Sequence, residues 1–301
     1  MKKLLFVINP YAGMRKASKV LPEILSVFNR ADYDVRVYVT AEQGDGVRAV
    51  AQMAADADLV VCCGGDGTFN ETITGLMQAG LDIPIGYIPA GSTNDFATSL
   101  QLSPDPVEAA KQIVEGNSHS YDAGRFGDRY FSYVASFGAF TKVSYSTPQS
   151  VKNLLGHLAY VLEGMQELSQ IRKHHVKLLL DGAEVLEDDY IFGAICNSTS
   201  VGGVMTLDPN QVDLQDGKFE VLLVRVPKTL QELSECLLAV QKQQYNSAMM
   251  TFRTASQILV EANPDMPWTL DGEKEEGHAQ VDIQNLHRAI QIIQKKETEN
   301  V

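Results

Sequence analysis

The chain has 301 residues, 45% of them hydrophobic, with four cysteines and a formal net charge of −13. That length and apolar content allow two ordinary globular domains, and the acid excess argues against nucleic acid, which needs a basic footprint. Four cysteines are too few for a disulfide scaffold and none lies at zinc spacing, so Cys62 and Cys63 read as small core residues of a reducing compartment.

An apolar strand at 3–9 is too short for the core of a signal peptide, and no apolar run approaches the length of a transmembrane helix. A cytoplasmic protein is expected. Val20, Leu21, Ile24, Leu25 and Phe28 share one helical face, 35–39 alternates as a strand, and Val47, Val50, Ala51 and Ala54 mark a second helix. The strand at 59–63 is followed by a helix with Phe69, Ile73, Leu76 and Met77 facing one way. A strand at 84–88 and a helix carrying Val107, Ala110, Ile113 and Val114 complete the series. Such alternation predicts a mostly parallel sheet with helices on its faces, and ligands of such sheets bind beyond the carboxyl ends of the strands. Asn9, Thr40, 64–68 and 89–94 all sit at or just after such ends, so four segments converge on one rim.

The pattern changes near Asp122, which opens the crossover. The stretches 129–137, 175–180, 189–197, 218–225 and 256–261 read as strands, so a first domain over 1–122 gives way to a β-rich second domain over 123–285. Two helices interrupt it. One aligns Leu158, Val161, Leu162, Met165 and Leu168 on a face that suits either the core or a lipid surface. The other starts at Thr229, with Glu232 completing a capping box, and buries Leu230, Leu233 and Leu237. The segment 286–294 is apolar enough to be ordered, and 295–301 is a polar tail.

The chemistry concentrates in Gly64-Gly65-Asp66-Gly67-Thr68-Phe69-Asn70-Glu71, directly after an apolar strand. Glycines let backbone turn sharply and approach a bulky anion, and free N–H groups followed by a helix start make a phosphate nest. Asp66 is placed to engage Mg²⁺, or else to cap the next helix. Thr68, Thr93 and Thr40 offer hydroxyls to a nucleotide or serve as caps, and Gly91-Ser92-Thr93-Asn94 is a second nest. Arg172, Lys173, His174, His175 and Lys177 form the densest basic cluster, best read as a solvated strand start. Glu273 ends an apolar strand near a tight turn and, on residue type alone, reads as a solvated hairpin acid.

The string 64–71 resembles the Gly-Gly-Asp-Gly-Thr-x-Asn-Glu signature of the diacylglycerol kinase catalytic domain. Asn9-Pro10-Tyr11-Ala12-Gly13, Ile88-Pro89-Ala90-Gly91-Ser92-Thr93-Asn94-Asp95-Phe96-Ala97 and Leu270-Asp271-Gly272-Glu273 resemble further segments of that family, in the family's order and over nearly the whole chain. The stretches 143–148 and 213–217 look like the soluble bacterial members. Gly91-Ser92 stands where the family usually has Gly-Thr, which keeps a hydroxyl.

The resemblance implies an N-terminal α/β domain like that of NAD kinases and phosphofructokinases, with 286–301 returning to it, and a sandwich-like C-terminal domain that takes the lipid. It implies ATP and Mg²⁺ as cofactors, held by Asn9, Thr40, Gly64, Gly65, Asp66, Gly67, Thr68, Asn70, Glu71, Gly91, Ser92, Thr93 and Asn94. Glu273 would be the general base, with Asp66 and Asp122 in the same catalytic network. A second, structural Mg²⁺ would sit at Asp213, Asp216 and Lys218, through the Asp216 side chain and nearby carbonyls. The implied reaction moves the γ-phosphate of ATP to the hydroxyl of diacylglycerol or a related lipid at the inner membrane surface. Homodimers are frequent among such relatives. Two alternatives stand beside it: a kinase of a soluble acceptor, as NAD kinases are, and a nucleotide-binding regulator without catalysis.

Overall fold

The computed structural model describes residues 1–13, 16–138, 172–201 and 205–295. The helix expected over 158–168 and the stretch 143–148 lie outside them. The chain divides into two compact units, Met1–Ala123 with Arg288–Val301, and Gly124–His287.

In the first unit the elements alternate as β1 (Lys2–Ile8), α1 (Lys16–Lys19), α2 (Leu21–Arg30), β2 (Tyr33–Val39), α3 (Asp45–Met53), β3 (Leu59–Gly64), α4 (Asp66–Ala79), β4 (Ile85–Pro89), α5 (Asp95–Ser99) and α6 (Pro106–Glu115). The strands pair in parallel in the order β4-β3-β1-β2. All six residues of β3 are buried, which is why it reads as an unbroken apolar run rather than an alternation. Burial pushes the Cys63 thiol up to about 12, so it is an inert core group. One face of the sheet packs on α2 and α6 through Leu4, Phe6, Ile8, Ile24, Phe28 and Ile113. Asp105 caps α6 by accepting the Glu108 N–H at 2.8 Å, and Pro106 opens the helix where no N–H is needed. The five-residue α5 is too short to leave a periodic signature, and the sequence reading passed over it.

The chain leaves this unit along β5 (Asn117–Phe126). The second unit continues with β6 (Arg129–Phe131), β7 (Val134–Gly138), β8 (His174–Leu180), β9 (Glu184–Cys196), β10 (Ser200–Val201), β11 (Met205–Thr206), β12 (Phe219–Arg225), α7 (Leu230–Gln241), β13 (Met250–Ala255), β14 (Gln257–Ala262), β15 (Trp268–Leu270), β16 (Glu273–Glu275) and β17 (Gln280–Gln294). Its main ladder is antiparallel in the order β16-β15-β7-β9-β8-β14-β17, with β12 on β9 and β13 on β12. Trp268 anchors its core, with ring centroids 5.0 Å from Phe126 and 5.1 Å from Phe137. Past residue 287 the same β17 belongs to the first unit, where Ile292 lies in parallel register with Ile85 of β4. The capping box at α7 forms as read, Thr229 Oγ1 accepting the Glu232 N–H at 3.1 Å and the Glu232 carboxylate accepting the Thr229 N–H at 3.2 Å. Leu233 is fully buried.

Four strand assignments need correction. β5 and β13 were missed because their residues are largely polar or aimed partly at solvent. β9 starts at Glu184, five residues before the expected start at Asp189. The single strand read over 129–137 is broken at Ser132 and Tyr133, and the cause is Asp271. The Asp271 carboxylate is 4% exposed and accepts the N–H groups of Ser132, Tyr133 (2.9 Å) and Val134 (3.0 Å) and the Ser132 hydroxyl (2.7 Å). Those amides are turned toward a side chain instead of a neighbouring strand. Asp271 and Gly272, at φ 48° and 85°, form the two-residue left-handed turn that joins β15 to β16, with Leu270 opposite Glu273. Burial pushes the Asp271 carboxyl above its usual range, and the three amides and the hydroxyl pull it back down. Replacing it by Asn puts an NH₂ against backbone donors. Asp271→Asn is therefore expected to lower stability by about 3 kcal/mol, seen as a lower urea midpoint at unchanged slope, because buried N–H groups lose their acceptor.

Candidate functional site

Three loops leave the carboxyl ends of β1, β3 and β4 and meet backbone to backbone. A Cβ on Gly91 would lie 2.6 Å from the Gly65 Cα, and one on Gly65 would lie 3.2 Å from the Gly91 Cα. Gly13, at φ 52°, sits so close to the Ala90 carbonyl that no side chain fits there either. Gly13, Gly65 and Gly91 thus mark where the loops approach one another, which leaves a rim of main chain there rather than side chains.

The 14-residue α4 starts inside this rim. Its N-terminus carries the positive end of the helix dipole and favours an anion in front of it. Asp66 is its first residue. It does not cap α4, whose N-cap is Gly65 in extended conformation with no side-chain bond. Asp66 Oδ2 instead accepts the N–H of Asp95 at 3.2 Å, tying α4 to the first residue of α5. Asp95 is buried beside it, and the sequence reading gave it no role although it stands in the motif around Asn94. Beneath the rim, Phe69 stacks on Tyr87 at 4.4 Å and on Phe96 at 5.3 Å, which sets α4, β4 and α5 against one another. Burial first, and the Asp66 charge second, push the Tyr87 phenol well above its usual range, so it stays protonated.

Thr68 is buried in the first turn of α4 and accepts the Asn9 amide at 3.4 Å, which joins the loop after β1 to the glycine loop. Asn9 Oδ1 accepts the Tyr11 N–H at 3.0 Å and shapes its own turn. Ser92 and Thr93 are exposed at the tip of the loop after β4. Asn94, at φ 56°, spends both ends of its amide on Gly91, accepting its N–H at 2.9 Å and donating to its carbonyl at 3.1 Å. Asn70 lies along the helix, with Oδ1 taking the Thr74 hydroxyl at 3.2 Å. The loop after β2 is built by carboxylates. Thr40 is buried and its hydroxyl donates to the Ile8 carbonyl at 3.3 Å. Asp45 Oδ2 accepts the N–H groups of Ala41 and Glu42 at 2.7 and 3.0 Å, and its other oxygen takes Arg48. Glu71 accepts the N–H groups of Gly44 and Gly46.

The other expected site residues lie on later segments of the chain. Asp122 is fully buried and accepts the Arg288 N–H at 2.7 Å, where Arg288 adopts φ 51°, so it holds a left-handed kink in the last strand of the first unit. Glu273 lies in the second unit on β16. Its Oε2 is 3.9 Å from Arg129, whose guanidinium also holds Glu275 at 2.7 Å. Asp213 and Asp216 each accept a backbone N–H two residues ahead, from Gln215 and Lys218 at 2.9 Å. Lys218 can offer a cation only its carbonyl. Among the described residues no group of three or more His, Cys, Asp or Glu side chains converges on a metal position. No helix among them is long and apolar enough to cross a membrane.

Two outcomes follow from this geometry. Gly91→Ala must separate two backbones now in contact, and should lower stability by about 1–3 kcal/mol in urea titration while weakening binding of any nucleotide held by the rim. The N–H groups of Ala41 and Glu42, aided by Arg48, hold the Asp45 carboxyl below its usual range. A carboxyl lower in the folded than in the unfolded chain contributes stability that is present above its unfolded value and lost as pH falls through the folded one. The difference in urea midpoint between the protein and Asp45→Asn should hold steady above about pH 5 and shrink below about pH 4.

Comparison with known proteins matches the chain in two parts. Residues 3–126 match the family model described as the diacylglycerol kinase catalytic domain, and residues 134–294 match the YegS C-terminal NAD kinase beta sandwich-like domain. The diacylglycerol kinase of Bacillus subtilis (strain 168) is 30% identical over 299 residues, covering 99% of this chain and 98% of that protein. That of Staphylococcus carnosus (strain TM300) is 29% identical, covering 99% and 97%. Among solved structures, a diacylglycerol kinase from Bacillus anthracis str. Sterne superimposes with TM-score 0.76 at 23% identity, over 98% of this chain and 97% of that one. An NAD kinase from Archaeoglobus fulgidus, solved with ATP, gives TM-score 0.56 at 14% identity over 99% and 95%, a likeness of fold. The α/β domain followed by a β-rich domain expected from the sequence is thus borne out, and the chain belongs to the diacylglycerol kinase family and is a kinase.

Proposed function

We propose that this kinase transfers the γ-phosphate of ATP, with Mg²⁺, to the free hydroxyl of diacylglycerol or a closely related lipid, giving phosphatidic acid or its analogue. The observation that carries this reading is the main-chain rim made by Gly13, Gly65 and Gly91 at the start of α4. Phosphoryl transfer asks a protein chiefly for positioning and charge neutralisation, and a rim of backbone at a helix N-terminus supplies both to a polyphosphate. The acceptor follows from the relatives, which are named diacylglycerol kinases over the full length of this chain.

Within that reading the glycine loop cradles the phosphates, and Thr68 and Asn9 fix its shape. The Asp66 carboxylate, at the mouth of the helix, fits Mg²⁺, a hard cation that takes one or two carboxylates and keeps several waters. When bound, Mg²⁺ neutralises developing phosphate charge. Glu273 is the general base. A lipid alcohol is a poor nucleophile until its proton is taken, and Glu273 is a half-exposed carboxylate held at a hairpin end by Arg129. Asp122 has a positioning part, through the kink at Arg288. A structural Mg²⁺ at 213–218 would rest on carbonyls and Asp216, since one oxygen of each aspartate is already committed to the main chain. Work at the membrane surface and a dimeric assembly belong to this proposal as well.

The test is transfer of label from γ-labelled ATP, with Mg²⁺, to a panel of lipids in mixed micelles, with NAD as a soluble acceptor alongside. Labelled phosphatidic acid is the expected product. Glu273→Gln should lower kcat by about 10²–10⁴-fold and Asp66→Asn by at least about 10²-fold, each with an unchanged urea midpoint. Label on NAD alone would move the protein to a soluble acceptor. Tight ATP binding with no labelled product would leave a nucleotide-binding regulator. Wild-type turnover in either variant would remove that residue from the mechanism.

A further inference from the structure

Glu71 closes the signature string, five residues past Asp66 and on the same helix, yet its carboxylate does not face the phosphate rim. Oε1 accepts the Gly44 N–H at 2.7 Å and Oε2 accepts the Gly46 N–H at 2.9 Å. Both donors lie at the start of α3, where Gly44 is the N-cap residue at φ 85°. The approach is close enough that a Cβ on Gly46 would lie 2.6 Å from Oε2 and 3.0 Å from the Glu71 Cβ. Asp45 ties the other end of the same loop through Ala41 and Glu42. Two carboxylates thus take four backbone N–H groups of the segment 41–46, and Thr40 anchors its start on the Ile8 carbonyl, beside Asn9. Further along, α3 and α4 are in backbone contact, since a Cβ on Gly75 would meet the Val47 carbonyl at 2.9 Å. The loop after β2 is therefore built onto the helix that carries the phosphate-binding turn.

We infer that Glu71 is a positioning residue: it touches no nucleotide, but preforms the 40–46 loop as the second wall of the nucleotide site and couples that wall to the glycine loop. Both of its oxygens are occupied by main-chain donors, and a further carboxylate aimed at a polyphosphate would repel it. A loop held ready needs no ordering when the nucleotide arrives, so loss of the clamp falls on binding and not on the transfer step. This inference rests on the ATP reading above.

The experiment is direct titration of ATP against the full chain without lipid, beside steady-state kinetics with diacylglycerol micelles. Glu71→Gln keeps one acceptor oxygen and loses the other. It should raise the Kd and KM for ATP about 10-fold, as expected for loss of one charge-assisted hydrogen bond, with kcat within about 2-fold of the parent. Gly46→Ala keeps the carboxylate but pushes it off the amides, and should give the same selective loss. The double variant should be no weaker in ATP Kd than the weaker single, because both changes break one contact. If Glu71→Gln does not fold, Gly46→Ala carries the test alone. A parent that binds ATP with variants that bind it equally well overturns the inference and leaves the ATP reading intact. A fall in kcat at unchanged KM would make Glu71 part of the transfer step and also overturn it. A parent that binds no ATP would bring down the ATP reading, and the inference with it.

Discussion

Two stretches of main chain can lie in van der Waals contact only where neither carries a side chain between them, and this is what Gly65 and Gly91 do at the end of the parallel sheet. The contact governs more than local packing. The parallel strands β3 and β4 deliver both loops to the same rim, and the helix that starts in one of them points its N-terminus into the space they enclose. Any residue larger than glycine at 91 forces the two loops apart, one at 65 crowds the same contact, and the enclosed space changes shape. Asp66 depends on the same closeness, because its reach to the Asp95 amide at 3.2 Å requires the loop after β4 to stand against the loop after β3.

Around this contact several polar side chains of the motif hold the loops in place. Asn94, Asn70, Glu71 and Asp122 all belong to the set of polar side chains that motif reading assigns to nucleotide or catalysis, yet each has bonds within the chain. Asn94 folds back on Gly91, Asn70 runs to Thr74, Glu71 reaches Gly44 and Gly46, and Asp122 takes the amide of Arg288. Asn94, Glu71 and Asp122 satisfy main-chain groups that would otherwise be stranded, while Asn70 takes a side-chain hydroxyl one turn along its own helix. A motif of this kind thus encodes the scaffold of its own loops in the same few letters.

The first unit was largely legible because its signals are local. An apolar run such as 59–63 marks a strand covered on both faces, and the spacing of Ile24 and Phe28 or of Phe69, Ile73 and Leu76 marks a helix. The convergence of Asn9, Thr40, Gly64 and Gly91 on one rim followed from alternation alone. What stayed hidden depends on partners far away in the chain. Nothing near residue 132 announces that Asp271 takes its amide, 139 residues distant, so a broken strand was read as continuous. Nothing near Gly44 or Gly46 points to Glu71, more than 20 residues on, although Gly46 inside a helical pattern is the kind of signal that a close approach leaves behind. β13 was lost for a different reason, since Thr251, Phe252 and Arg253 are only half-buried and blur the alternation.

The net charge of −13 contrasts with a glycine rim at a helix N-terminus, a place that favours anions. The structure shows where part of that charge goes. Asp45, Glu71, Asp105, Asp181 and Asp271 each accept backbone N–H groups at a helix start or a strand junction, Asp181 taking those of Ser256 and Gln257 at 2.9 Å. A carboxylate set against main-chain donors meets the positive end of a local dipole, and the field it sends outward is smaller than its formal charge. Asp45 and Glu71 are committed in this way to the start of α3 and the loop after β2, while Asp66, the first residue of α4, accepts the Asp95 N–H. The potential in front of α4 is therefore set by the helix N-terminus, the glycine main chain and the Asp66 carboxylate in its first turn. An acidic sum over the whole sequence is compatible with an anion site because the two are properties of different atoms.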